Sequence, residues 1–118
     1  MIFQKYKKSA EKTVGEIKKH GGNAEAIQAN VTKDNEVEKL INTVINHFGK
    51  IDILVNNAGT IKDSLVIRMD IDDFDDVIDV HLRGTFLCTG LALRSMIKNR
   101  WGRVINIGPV VGIAGNVG

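Results

Sequence analysis

The chain has 118 residues and a mass of 13.0 kDa, and its 43% hydrophobic and 25% charged residues are a globular composition that excludes a disordered tail. Sixteen Lys plus Arg against fourteen Asp plus Glu leave a formal charge of +2, which gives no reason to expect nucleic acid or an anionic membrane as partner. One cysteine (Cys88), no apolar run near the ~20 residues of a membrane helix and no signal-peptide stretch in MIFQKYKKSAEK predict a cytoplasmic chain, or one of an organelle stroma or matrix if the full-length gene carries a targeting peptide.

Residues 9–20 read as a helix, with Ser9 as N-cap, Ala10, Val14 and Ile17 as a narrow stripe, and Gly21-Gly22 as its stop. Residues 24–31, AEAIQANV, read as a short strand. The clearest helix is 33–48, where Val37, Leu40, Ile41, Val44, Ile45 and Phe48 form one apolar face. Thr32 or Asp34 caps its start, and Gly49 stands at the closing position. Ile51-Asp52-Ile53-Leu54-Val55 is rich in β-branched residues and alternates little, the pattern of a strand covered on both faces. A long helix follows from near Asp70 to about Asn99, with Phe74, Val77, Ile78, Leu82, Phe86, Leu93, Met96 and Ile97 as its stripe. Gly84 and Gly90 inside it mark a bend or a close helix contact. Arg103-Val104-Ile105-Asn106-Ile107 is another buried-type strand, leading into GPVVGIAGNVG. Strand and helix alternate, which predicts an α/β fold with a parallel sheet and right-handed crossovers.

Ligands of open α/β sheets sit beyond the carboxyl ends of the strands. Here those ends are Asn30-Val31, Asn56-Asn57-Ala58-Gly59 and Gly108-Pro109, with small or amide side chains that let a flat ligand approach the backbone and share hydrogen bonds with it. A receiver or flavodoxin-like domain would carry acidic clusters or phosphate loops at these points instead. Asn30 can also cap the next helix. The run Asp70, Asp72, Asp73, Asp75, Asp76 reads as the solvated start of a helix and not as a metal site, and Lys7, Lys8, Lys12, Lys18 and Lys19 as a solvated basic face. Cys88 reads as a small core residue, and His81, between Val77 and Leu82, as a buried histidine with its hydrogen bonds satisfied.

Val55-Asn56-Asn57-Ala58-Gly59, directly after a buried-type strand, resembles the NNAG motif of short-chain dehydrogenases/reductases. In order along the chain, Asn30-Val31-Thr32, GKIDILVNNAG, IKDSLVIRM, LRGTFLCT, GRVINI and VVGIAGNVG resemble the 3-oxoacyl-[acyl-carrier-protein] reductase branch, from about Tyr6 to Gly118. The resemblance implies one partial dinucleotide-binding domain over 1–118 with NADP as cofactor. Asn30 and Val31 would flank the adenine, Asn57, Ala58 and Gly59 would line the cofactor near the adenosine ribose, and Asn56 would brace neighbouring strands. It also implies an acyl-carrier-protein thioester as substrate and a homo-oligomer packed through the helix over 73–99.

The departures carry as much weight. Neither the family's TGxxxGxG turn, which holds the pyrophosphate, nor its catalytic YxxxK occurs in these residues; Tyr6 is the only tyrosine. Pro109 stands at the position of the catalytic Ser, with neither hydroxyl nor N–H to donate, and His81 at that of the active-site Asn. The family's strand order is 3-2-1-4-5, and Ile2–Phe3 matches only the tail of the second strand. The expected architecture is thus an incomplete Rossmann-like doubly wound parallel sheet, without the first strand and its glycine-rich turn and without everything after the fifth. A gap then separates the strand ending at Val31 from the one starting at Ile51, with unpaired edges and exposed apolar flanks. The functional expectation is a fragment or decayed copy of an NADPH-dependent 3-oxoacyl-[acyl-carrier-protein] reductase, with no catalytic residue of its own. The alternative is a non-catalytic pseudoenzyme subunit that packs onto complete reductase subunits.

Overall fold

The apolar spacing over 37–45 folds as the periodicity predicts. In the computed structural model, which describes residues 2–3, 6–60, 62, 64–65 and 67–108, helix α2 (Asp34–Phe48) buries Val37, Leu40 and Ile41, half-buries Val44 and Ile45 and leaves Phe48 exposed. Gly49 closes it at φ 84°. Its start departs from the expectation, because Lys33 is the N-cap and neither Thr32 nor Asp34 caps the helix. The entry is held by Asn30, whose Oδ1 accepts from Thr32 N at 3.0 Å and Thr32 Oγ1 at 2.9 Å, while Asn30 N donates to Glu36 Oε2 at 2.7 Å.

Helix α1 (Lys7–Lys19) begins before Ser9, with Tyr6 as a cap that makes no side-chain bond. Ser9 therefore lies inside the first turn, where its carbonyl accepts from Thr13 Oγ1 at 3.2 Å. Of the α1 stripe Ala10 is buried, Val14 is half-buried and Ile17 is exposed.

Strand β1 (Ile2–Phe3) pairs in parallel with β2 (Ile27–Gln28), Ile2 opposite Ile27. Of the strand expected over 24–31, Ile27–Gln28 form the ladder with described residues. Strand β3 (Ile53–Asn56) pairs in parallel with β4 (Arg103–Asn106), Ile53 opposite Arg103. The strands form two separate two-stranded sheets, so β2 and β3 are not hydrogen-bonded neighbours, as the expected gap requires.

The long helix is continuous from Ile71 to Lys98 but contains a wider turn: α3 (Ile71–Ile78), a π-helical turn over Asp79–Arg83, then α4 (Gly84–Lys98). Asp70 caps α3, its Oδ1 accepting from Asp73 N at 2.9 Å. The core lies between α2, α4 and one face of β3: Val37, Ile41, Ile51, Leu54, Cys88, Ala92 and Met96. On α4 the buried face is made of small residues, Gly84, Cys88, Ala92 and Ser95, together with Met96. This corrects the expected stripe. Among its bulky members Met96 is buried and Val77 half-buried, whereas Phe74, Ile78, Leu82, Phe86, Leu93 and Ile97 are exposed, Phe86 to 75%. Small side chains bring α4 close to α2 and β3, which leaves the bulky ones pointing outward with no described element to cover them.

The run 51–55 is likewise covered on one face only. Leu54 is buried, but Ile53 and Val55 are 55% and 51% exposed, and Ile105 and Ile107 on the paired strand are exposed beside them. A strand built to be covered twice thus has a single cover among the described residues. Gly84 makes the expected close contact, since a Cβ there would lie 2.8 Å from Val31 Cγ2; Gly90 has nothing within 4 Å.

One buried polar contact ties α4 to the start of β3: Ile51 N donates to Ser95 Oγ at 3.1 Å. Ser95→Ala would leave that N–H buried without a partner, so urea unfolding is expected to show a loss of about 1–3 kcal/mol.

Candidate functional site

The chain leaves β3 through Asn56 into Asn57-Ala58-Gly59-Thr60. Asn57, Ala58 and Gly59 are exposed, and Thr60 is half-buried. Asn56 is the brace the resemblance implied: its Nδ2 donates to Asn106 Oδ1 at 2.9 Å and Thr89 Oγ1 at 3.1 Å, joining β3 to β4 and α4. Just beyond, Ile107 N donates to Asn56 O at 2.9 Å and continues the pairing.

The π-helical turn reaches back to this loop. His81 Nε2 lies 3.2 Å from Thr60 N and 2.9 Å from Thr60 O, and a Cβ on Gly59 would fall 2.8 Å from His81 Cε1. His81 is therefore a hydrogen-bonded packing residue as expected, although half-buried and not fully enclosed. Three residues along the helix, Gly84 receives Val31, and Arg83 Nη2 donates to Asp34 Oδ1 at 3.1 Å. One stretch of helix, 81–84, thus grips both strand-end loops. It links the loop after β2, through Val31, to the loop after β3, through Gly59 and Thr60, although the two strands belong to separate sheets. Pro109, the third expected strand end, lies outside the described residues.

Two parallel strand pairs crossed by helices, with a VNNAG turn at the end of one strand, form the frame in which the comparisons fall. The short chain dehydrogenase family profile matches residues 1–118, the entire sequence. The chain belongs to the short chain dehydrogenase family. It is 47% identical over 110 residues to the 3-oxoacyl-[acyl-carrier-protein] reductase of Synechocystis sp., covering 93% of this chain and 44% of that protein. Against the 3-oxoacyl-[acyl-carrier-protein] reductases of Staphylococcus epidermidis and Staphylococcus aureus it is 46% identical over 112 residues, 95% of this chain and 46% of each of theirs. The chain therefore spans about half the length of the curated relatives it matches.

Tested against a dinucleotide, this dehydrogenase chain fits one part of the ligand and not another. Exposed Asn57, Ala58 and Gly59 at the end of β3, with half-buried Asn30 and Val31 after β2, suit a nucleoside, which needs a flat approach and mixed donors and acceptors. A pyrophosphate needs a helix N-terminus with open N–H groups and no competing negative charge. The adjoining N-terminus, that of α2, carries Asp34 and Glu36 in its first turn, and Glu36 already takes the Asn30 N–H. That of α3 carries Asp72 and Asp73 behind the Asp70 cap.

The acidic run behaves as a solvated helix start. Lys62 pairs with Asp73, and that hydrogen bond holds its ammonium above the ordinary lysine range. Among the described residues no group of His, Cys, Asp and Glu is placed to hold a metal ion. Burial pushes the Cys88 thiol up, away from a reactive thiolate. No helix of the described residues is long and apolar enough to cross a membrane. Sequence reasoning did not find the tether between His81 and Thr60, because nothing in the linear pattern marks a partner 21 residues away.

Proposed function

We propose that the chain is the adenosine-binding portion of an NADP-dependent 3-oxoacyl-[acyl-carrier-protein] reductase, a fragment or decayed copy that is inactive alone. The observation that carries this reading is that Val31, beside Gly84, and Gly59 and Thr60, beside His81, pack on one stretch of helix, 81–84. Asn30 and Val31 flank the adenine, while Asn57, Ala58 and Gly59 line its ribose. Similarity to the reductases supports NADP and, for the complete enzyme, reduction of a 3-oxoacyl thioester of acyl-carrier protein to the 3-hydroxyacyl thioester in the cytoplasm. No residue is assigned a catalytic role: Pro109 has no proton to give, and His81 Nε2 is engaged by the Thr60 backbone. Adenosine titrated into the ¹⁵N-labelled chain is expected to shift the amides of residues 30–31 and 57–60. Shifts centred elsewhere, or none at millimolar adenosine, contradict the assignment.

A second reading, the non-catalytic subunit, draws support from the outer face of the long helix. Phe74, Leu82, Phe86, Leu93 and Ile97 are all exposed there, an apolar row of the kind that marks an interaction surface. Packing through residues 73–99, onto complete reductase subunits or a second copy, would cover them. Co-purification with an active reductase supports this reading, and isolation from the same source without one rejects it.

A further inference from the structure

The two contacts of His81 with Thr60 cannot both be hydrogen bonds at one time. They share a single atom, Nε2, which lies 2.9 Å from Thr60 O and 3.2 Å from Thr60 N. A ring nitrogen either carries a proton and donates to the carbonyl, or carries a lone pair and accepts from the N–H. We infer that His81 is a positioning residue that holds the Asn57–Thr60 loop as a two-state latch, one imidazole tautomer pinning the Thr60 carbonyl and the other its amide. Each state leaves one of the two Thr60 groups without this partner, so the loop is tethered but not locked. Gly59 is part of the device, because the imidazole occupies the space that a Cβ would take, 2.8 Å from Cε1. The tether is anchored on a rigid base. The π-helical turn that carries His81 runs directly into α4, and Arg83 ties it to α2 through Asp34.

An amide side chain carries a donor and an acceptor together and can serve both Thr60 groups at once. Glutamine places that amide at about the reach of Nε2, so His81→Gln is expected to tighten the loop and His81→Ala to release it. What the loop binds rests on the functional reading above; the latch itself does not.

The test is amide hydrogen exchange at Thr60 in the full 118-residue chain, with α2 amides of the same sample as the internal reference. Thr60 is expected to exchange about twofold faster in His81→Ala, because the parent bonds this amide in only one of two comparable states, and about threefold slower in His81→Gln, where the bond of about 1 kcal/mol is held in every molecule, with α2 unchanged. A His81→Gln chain that protects Thr60 no better than the parent overturns the latch. So does a parent chain in which Thr60 exchanges at the free-peptide rate. If His81→Gln loses its α2 protection and so fails to fold, long-range ¹H–¹⁵N spectra of the parent imidazole decide. Nε2 averaged between protonated and unprotonated shifts supports the latch, and one fixed tautomer overturns it. Adenosine failing to bind while these protections hold removes the functional reading and leaves the latch standing.

Discussion

A polypeptide of these 118 residues is expected to give no NADPH-dependent reduction of an acetoacetyl thioester. Hydride delivery to a ketone leaves an alkoxide that must be protonated as it forms, and a positioned general acid is worth about 10²–10⁴-fold in rate. The candidates can be taken one by one. Tyr6 is 78% exposed at the start of α1 and has Ala10, not a lysine, four residues on. His81 Nε2 is turned onto the backbone of Thr60, Cys88 is buried with its thiol pushed up, and Lys62 is paired with Asp73. Pro109 has no proton at all. The N-termini of α2 and α3 are acidic and offer the diphosphate no anchor, so poor positioning of the nicotinamide compounds the missing acid. A coupled assay at high protein concentration is expected to stay at the blank rate. Turnover that survives an additional purification step overturns this expectation.

The largest stability effect is expected at Val37, the largest fully buried side chain among the described residues and a member of the core. Val37→Asp buries a carboxylate with no partner, at a cost of about 4 kcal/mol or more, enough to abolish the folded state of a marginal domain. Far-ultraviolet circular dichroism is expected to show the helical signal lost. Phe86→Asp is the informative companion. Phe86 belongs to the stripe that sequence periodicity marks on the long helix, yet it is 75% exposed. The same change there is expected to leave the helical signal intact. Equal damage at both positions would mean that the bulky stripe, and not the small-residue face, packs on the core.

That contrast shows where sequence reasoning reached and where it stopped. The 3.6-residue period on α2 was unambiguous because its apolar residues are large and its buried side is the large side. On α4 the rule inverts, because the core is approached by Gly84, Cys88, Ala92 and Ser95, which carry too little hydrophobicity to register as a stripe. The strand Ile53–Asn56 and the bracing role of Asn56 were legible from the NNAG resemblance. Cap assignment failed at Ser9 and at Thr32 for a shared reason: several polar residues stand near each helix start, and tertiary packing chooses among them. At the candidate site the five residues were readable as two strand-end loops. The packing of Val31 and Gly59 on residues 81–84 needed the π-helical turn, which no propensity announces.

The proposal that the strand ends take a nucleoside, while the acidic N-termini of α2 and α3 take no diphosphate, is tested most directly by comparing the affinities of adenosine and NADPH for the same 118-residue chain by calorimetry. The two are expected to bind within about tenfold of each other, a difference below about 1.4 kcal/mol, since the acidic N-termini of α2 and α3 repel the diphosphate. NADPH held about a thousandfold more tightly than adenosine, with shifts at main-chain amides beside its diphosphate, would contradict that division of the site.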